Sequence, residues 1–262
     1  MTAPSERGLH SAVGHALIQA GRVLRRWSRE PEVVIQTVVF PIVLFVVFRV
    51  VLGTALDQVT GAGSVTGHLV LCVLISVMFG GASAAQSLLA ERRSGLLGRF
   101  RSMPVHRASV PLGWLLAEVA RVLAGAVVLA AVGHGFGFRF AGGPPGALVF
   151  LLVAAWVAVG LGALVFAFAL GARSAQSVAG VTMVYLLLMF YNTGFVPAQW
   201  YPDALRWPVR VMPISMAVDA MRGGAQGALD TGALAGTALW FGAMAVGGVV
   251  WGARRFAKVS LA

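Results

Sequence analysis

The chain is a succession of long apolar runs joined by polar connections. Six runs are long enough to cross about 30 Å of hydrocarbon at about 1.5 Å per helical residue. They are Val33 to Leu52, Gly67 to Leu89, Val110 to Val132, Leu148 to Leu170, Gln176 to Phe195 and Ala233 to Trp251. The fourth and sixth are uninterrupted. Only Gly171 to Ala175 separates the fourth from the fifth, so that pair is expected to form an antiparallel hairpin. The pattern predicts an all-α integral membrane protein with six transmembrane helices.

The segments between the runs are patterned too. In the N-terminal tail, Leu9, Val13, Ala16, Leu17, Ala20, Val23, Leu24 and Trp27 fall within about 120° of a helical wheel, opposite His15, Gln19, Arg22, Arg25, Arg26 and Arg29. This predicts an interfacial helix lying on one leaflet, with Arg22, Arg25, Arg26, Trp27 and Arg29 at its charged and aromatic margin. The simpler alternative is a basic tail that only retains orientation. Pro31 ends that helix. Pro41 should kink the first span and free a carbonyl that neighbouring helices can satisfy.

The second connection runs from Glu91 to Arg107 and mixes Arg92, Arg93, Arg99 and Arg101 with Leu96, Leu97, Phe100 and Met103. It predicts a short amphipathic helix, opened by Glu91 near the positive end of its dipole, stopped by Pro104 and presented to a protein partner. The fifth connection, Val196 to Asp230, sets Pro197, Pro202, Pro208 and Pro213 among Trp200, Tyr201 and Trp207. Prolines so spaced allow only short helical pieces, and aromatics favour headgroup depth. A re-entrant helical hairpin fits, and so does an amphipathic loop resting on the membrane. Asp219 and Arg222, three apart, could pair beyond it.

Composition agrees with lipid as the solvent. Of 262 residues, 58% are hydrophobic and 11% charged, less than half the proportion of charge that coats a soluble domain. The net charge of +11 would suggest nucleic acid in a soluble protein, but here the basic residues cluster at the ends of apolar runs. Arg7, Arg22, Arg25, Arg26 and Arg29, then Arg92, Arg93, Arg99, Arg101 and Arg107, then Arg173, and finally Arg254, Arg255 and Lys258 share one side. Arg139, Arg206, Arg210 and Arg222 take the other. Both termini are therefore expected in the cytoplasm, and no nucleic-acid partner is expected. The N-terminus lacks a typical cleavage site after a short apolar core, so no removable signal peptide is expected.

Candidate chemistry is sparse. The single cysteine, Cys72, lies within an apolar run and allows no disulfide within the chain. No His-Glu-x-x-His helix, Gly-x-Ser-x-Gly elbow or Walker A lysine is present, since the only lysine, Lys258, precedes Val259. Neither catalysis nor a metal or cofactor site is expected in this chain. Gly133 to Gly137 is a flexible helix exit with no strand before it to make a phosphate loop. Within the spans, Glu118 and Arg121 are one helical turn apart and predict an intramembrane ion pair, either structural or gating.

With these residues in place, the chain resembles the permease subunit of type-2 ATP-binding-cassette exporters. Glu91-Arg-Arg-Ser-Gly-Leu-Leu through Met103-Pro-Val-His-Arg107 carries the likeness most specifically, joined by Pro197, Tyr201-Pro202, Pro213-Ile-Ser215 and Ala220-Met-Arg-Gly223. Leu89-Ala-Glu-Arg92, Pro104-Val-His-Arg-Ala-Ser109 and Gly137-Phe-Arg-Phe140 are similar to the daunorubicin-resistance type of actinobacteria, which includes exporters of phthiocerol dimycocerosate lipids. Arginine outnumbering lysine 19 to 1 suits such a GC-rich origin.

The resemblance implies a bacterial cytoplasmic-membrane permease organised as a tail (residues 1–32), a six-span domain (33–253) and a cytoplasmic tail (254–262). It implies a coupling helix at about residues 91–104, including Glu91, Arg92, Arg93, Gly95, Leu96, Leu97, Arg99, Phe100, Arg101 and Pro104. It also implies an outer re-entrant hairpin at about residues 196–215, bearing Pro197, Trp200, Tyr201, Pro202, Trp207 and Pro213. Two separately encoded ATPase subunits, holding ATP and magnesium, would drive this chain and a second permease, the same or related. Together they would export a hydrophobic or amphipathic antibiotic, polyketide or lipid through the bilayer. The rival readings are a proton-coupled secondary transporter and a membrane assembly subunit without transport.

Overall fold

The computed structural model describes residues 9–52, 65–94, 109–172, 174, 176–177, 180, 183, 191–194 and 198–258. Regular structure among them is helical. In chain order the helices are α1 (Leu9–Trp27), α2 (Pro31–Val51), α3 (Val65–Arg93), α4 (Ser109–Gly135) and α5 (Gly143–Gly171). A 3-10 turn at Ala198–Trp200 then leads to α6 (Asp203–Val211), α7 (Pro213–Gln226) and α8 (Thr231–Lys258). Five of these, α2, α3, α4, α5 and α8, are long and apolar enough to cross a membrane, and they coincide with five of the expected spans to within a few residues at each end.

Side-chain neighbours give the directions. Gln36 meets Ser83, and Phe48 lies 6.0 Å from His68 between ring centroids, so α2 and α3 are antiparallel. Gly125 faces Ser76 and Gly133 faces Leu69, which makes α3 and α4 antiparallel as well. Gly162 of α5 lies against Glu118 of α4 and Phe166 meets Trp114, so direction reverses again. Helices α5 and α8 are parallel: Gly160 abuts Phe241, Ala163 abuts Gly248 and Ala167 abuts Gly252. A Cβ at Gly248 would stand 2.7 Å from the Ala163 carbonyl oxygen. Lipid tails are as apolar as leucine, so helices here gain little by leaving them. Close packing at small residues is what joins such helices.

The expected fifth span, Gln176 to Phe195, falls for the most part outside the described residues. Its described flanks lie at opposite ends of the bundle. Ala172 follows Gly171, which abuts Arg255, whereas Gly194 abuts Leu71 near the start of α3. Helix α3 is enclosed on nearly all sides, and α2 and α8 turn most of their residues outward.

The segment expected to form a re-entrant hairpin holds two helices, and the second is longer than the sequence reading placed it. Helix α6 turns back at Met212, held extended (φ −63°, ψ 142°) because Pro213 follows. Pro213 then starts α7, which continues to Gln226 instead of closing near residue 215. Helix α7 buries Ile214, Ala217, Val218, Met221 and Ala225, packed by α5, α8 and α3. Gly146 lets α5 meet α7 backbone to backbone, since a Cβ there would overlap the Gly224 carbonyl oxygen, and one on Gly142 just before α5 would lie 2.6 Å from it. Gly227, at φ +75°, ends the helix in the left-handed conformation that glycine adopts freely.

Candidate functional site

Three polar arrangements stand out against the apolar packing. The first joins α1 to the end of α3. Gly113 admits α1 against α4, with the Ala16 carbonyl oxygen 2.8 Å from where a Cβ would stand. Ala16, Ala20, Val23 and Trp27 are buried there, and Trp27 meets Trp114 edge-on at 5.9 Å. The expected apolar stripe is therefore shared: this part docks on protein, while Val13 and Leu17 stay exposed. Arg22 and Arg26 also depart from the free polar face expected for them. They turn inward to Glu91, donating from Nη1 to its Oε1 at 2.8 and 3.0 Å. Glu30 accepts from Arg26 Nε at 2.7 Å and from Ser87 at 3.4 Å, extending the network. Arg25 and Arg29 remain exposed.

Glu91 is only 5% exposed, and it lies in the last turn of α3. This corrects its expected place at the start of a separate helix. There the helix dipole offers a carboxylate no stabilisation, and the two guanidinium groups of α1 supply the positive charge instead. Arg92 and Arg93 belong to the same helix. Gly95, Leu96, Leu97, Arg99, Phe100, Arg101 and Pro104 lie outside the described residues.

The second arrangement is inside the span bundle. Arg121 Nε donates to Glu118 Oε2 at 3.0 Å, and a second, closer contact pairs Arg121 Nη2 with Oε1. Arg121 Nη1 reaches the Thr37 hydroxyl on α2 at 2.9 Å. Gly80 leaves the space that the guanidinium fills, because a Cβ there would overlap it. Pro41 has no N–H to offer the carbonyl four residues earlier, that of Thr37, and Ser76 of α3 donates its hydroxyl to that oxygen at 2.9 Å. A π-helical turn, Ile35–Val39, lies just before the proline. The pair expected from the sequence thus ties three spans together. Thr37 and Ser76 were missed, although the spacing of Thr37 from Pro41 was the available signal.

The third arrangement is at the end of the bundle remote from α1. A cleft of about 500 Å³ is lined by Thr193, Arg210, Met216, Asp219, Arg222 and Asp230 among others. Asp219 accepts from Thr193 Oγ1 at 3.1 Å and stands 3.9 Å from Arg222. Burial pushes the Asp219 carboxyl above its usual range, against the opposing pull of Arg222 and Thr193. Trp200 and Trp207 are exposed nearby along the chain, Tyr201 donates to the Asn192 carbonyl at 3.2 Å, and Pro202 and Pro213 precede and open α6 and α7. Pro197 lies outside the described residues.

Five helices long and apolar enough to cross a membrane, a helix docked against them and a helical pair before the last define the chain as an integral membrane protein. Residues 17–225 match the model of the ABC-2 type transporter family, and the chain belongs to that family. It is 33% identical over 236 residues to a probable doxorubicin resistance ABC transporter permease protein, DrrC, of Mycobacterium tuberculosis, covering 90% of this chain and 86% of that one. It is 26% identical over 223 residues to the daunorubicin resistance ABC transporter permease protein DrrB1 of Streptomyces coeruleorubidus, covering 81% and 75%. The chain is an integral-membrane ABC exporter permease, a subunit of a family that works with ATP-binding subunits.

Proposed function

We propose that this permease exports a hydrophobic or amphipathic compound, driven from the α1 end by a pair of separately encoded ATPase subunits that hold ATP and magnesium. Both termini and α1 then face the cytoplasm, and a second permease, identical or related, completes the pathway. The names of the relatives, which refer to doxorubicin and daunorubicin resistance, support an amphipathic cargo.

The observation that carries this reading is the Glu91 network. The segment after α3 would meet the ATPase, and Glu91 sits at the root of that segment, pinned by Arg22 and Arg26 to the surface helix. A push on the connection would therefore move α1 and α3 as one body instead of bending the junction. Ion pairs that are this desolvated on the acidic side resist separation better than exposed ones.

Affinity purification in mild detergent tests the partnership, and an ATPase subunit should copurify. Glu91→Gln should lower ATP-dependent efflux by about tenfold at equal membrane abundance, the size of a typical coupling energy between sites. Recovery of the chain without an ATPase, together with unchanged efflux in Glu91→Gln, would overturn the reading. Efflux that follows the proton gradient and persists without the ATPase would replace it with secondary transport.

A further inference from the structure

We infer that the cleft at the α7 end of the bundle is a binding site for an oxyanion, a phosphate or carboxylate carried on an amphipathic molecule. Its volume of about 500 Å³ lies within the range of small-molecule sites. The ligand sign follows from which of its charged groups already have partners.

Both carboxylates are engaged. Asp230 Oδ1 accepts from the backbone N–H groups of Gly232 and Ala233 at 2.8 and 3.0 Å, capping α8. Asp219 takes the Thr193 hydroxyl and the loose contact with Arg222. The guanidinium groups are less well supplied. Among the described residues, Arg222 has only the 3.9 Å contact to Asp219, and its buried Nε has no hydrogen-bond acceptor there. Arg210 makes no ion pair among the described residues, and it stands exposed at the end of α6.

Asp219 and Asp230 each direct Oδ1 to donors of the protein itself, which offsets part of their charge, whereas the buried Arg222 Nε has no acceptor among the described residues. An anion meets two guanidinium groups in the cleft lining, and the forked donors of arginine suit oxyanion contacts. Met216, Ala198 and Ala233 give the cleft apolar wall beside these charges, which suits a headgroup with a hydrocarbon portion attached. Binding here needs no transport, so the site is tested without efflux.

The test is calorimetric titration of the full-length chain in detergent with dihexanoyl phosphatidylglycerol, the diacylglycerol of the same chain length, and inorganic phosphate against chloride at matched ionic strength. Phosphatidylglycerol should bind at least about tenfold more tightly than the diacylglycerol, as expected for a charge-assisted hydrogen bond. Arg210→Gln and Arg222→Gln should each weaken it by about tenfold, while Asp219→Asn, which releases Arg222 from its internal anion, should tighten it severalfold. Competition by inorganic phosphate would identify a free oxyanion as sufficient; its failure to compete, with lipid still bound, would assign the site to lipid-borne anions. Equal affinity for the two lipids, or unchanged affinity in Arg210→Gln, overturns the inference. Arg210 is exposed, so its substitution does not threaten folding.

Discussion

Removing the Glu118 carboxylate would leave the Arg121 guanidinium enclosed by Thr37, Ser76 and Gly80 with no counter-charge. An unpaired buried charge is far more costly than an absent pair. Glu118→Gln is therefore expected to lower stability by about 3 kcal/mol, whereas Glu118→Leu combined with Arg121→Met should recover most of that loss. Thermal unfolding in mild detergent measures both, and a Glu118→Gln protein as stable as wild type would show that the pair contributes nothing. Asp219 gives a prediction about pH. Its folded carboxyl is pushed above the usual range by burial, so the folded state binds the proton more readily than the unfolded chain. Its stabilising contribution is full below the unfolded value and is lost as pH rises through the folded one. On acidification from neutrality towards the carboxylate range, wild type should gain melting temperature relative to Asp219→Asn, and parallel pH curves for the two would refute this.

Among the elements, α2 shows how one residue's missing N–H becomes a contact between spans. Pro41 deprives Thr37 of its usual intrahelical donor, and Ser76 supplies a hydroxyl from α3. Ser76→Ala should cost about 1 kcal/mol in the native background and less when Pro41→Ala restores the backbone donor. A double-mutant cycle of melting temperatures reads the difference, and strict additivity would separate the two residues. Helix α1 makes a related point about faces. Its wheel shows a segregated apolar stripe, but only the part containing Ala16, Ala20, Val23 and Trp27 finds Gly113 and Trp114. The rest, Val13 and Leu17, keeps the exposure that an interfacial helix needs.

At the scale of the molecule, the parallel pair α5 and α8 is joined where Gly160 and Gly248 allow the backbones to touch. Gly248→Val would press a branched side chain against the Ala163 backbone, which cannot move aside as a side-chain tip could. Its cost should exceed about 2 kcal/mol through overpacking, seen as a lowered melting temperature and reduced membrane abundance. Gly247→Ala, with open space around its Cβ position, is the control and should behave as wild type.

The linear sequence by itself determined the membrane class, the approximate ends of five described spans, the partnership of Glu118 with Arg121 and the freeing of a carbonyl by Pro41. These depend on bilayer thickness, on 3.6 residues per turn and on the covalent structure of proline, all of which act locally. It did not determine that Glu91 closes α3 and joins Arg22 and Arg26, that Thr37 and Ser76 complete the intramembrane cluster, or that Asp219 and Arg222 share a cleft with Arg210. Each of those contacts needs two helices to be set at one depth and one rotation. Only the tertiary structure decides that, because depth and rotation come from close approaches between distant small residues, such as Gly113 with Ala16 and Gly248 with Ala163.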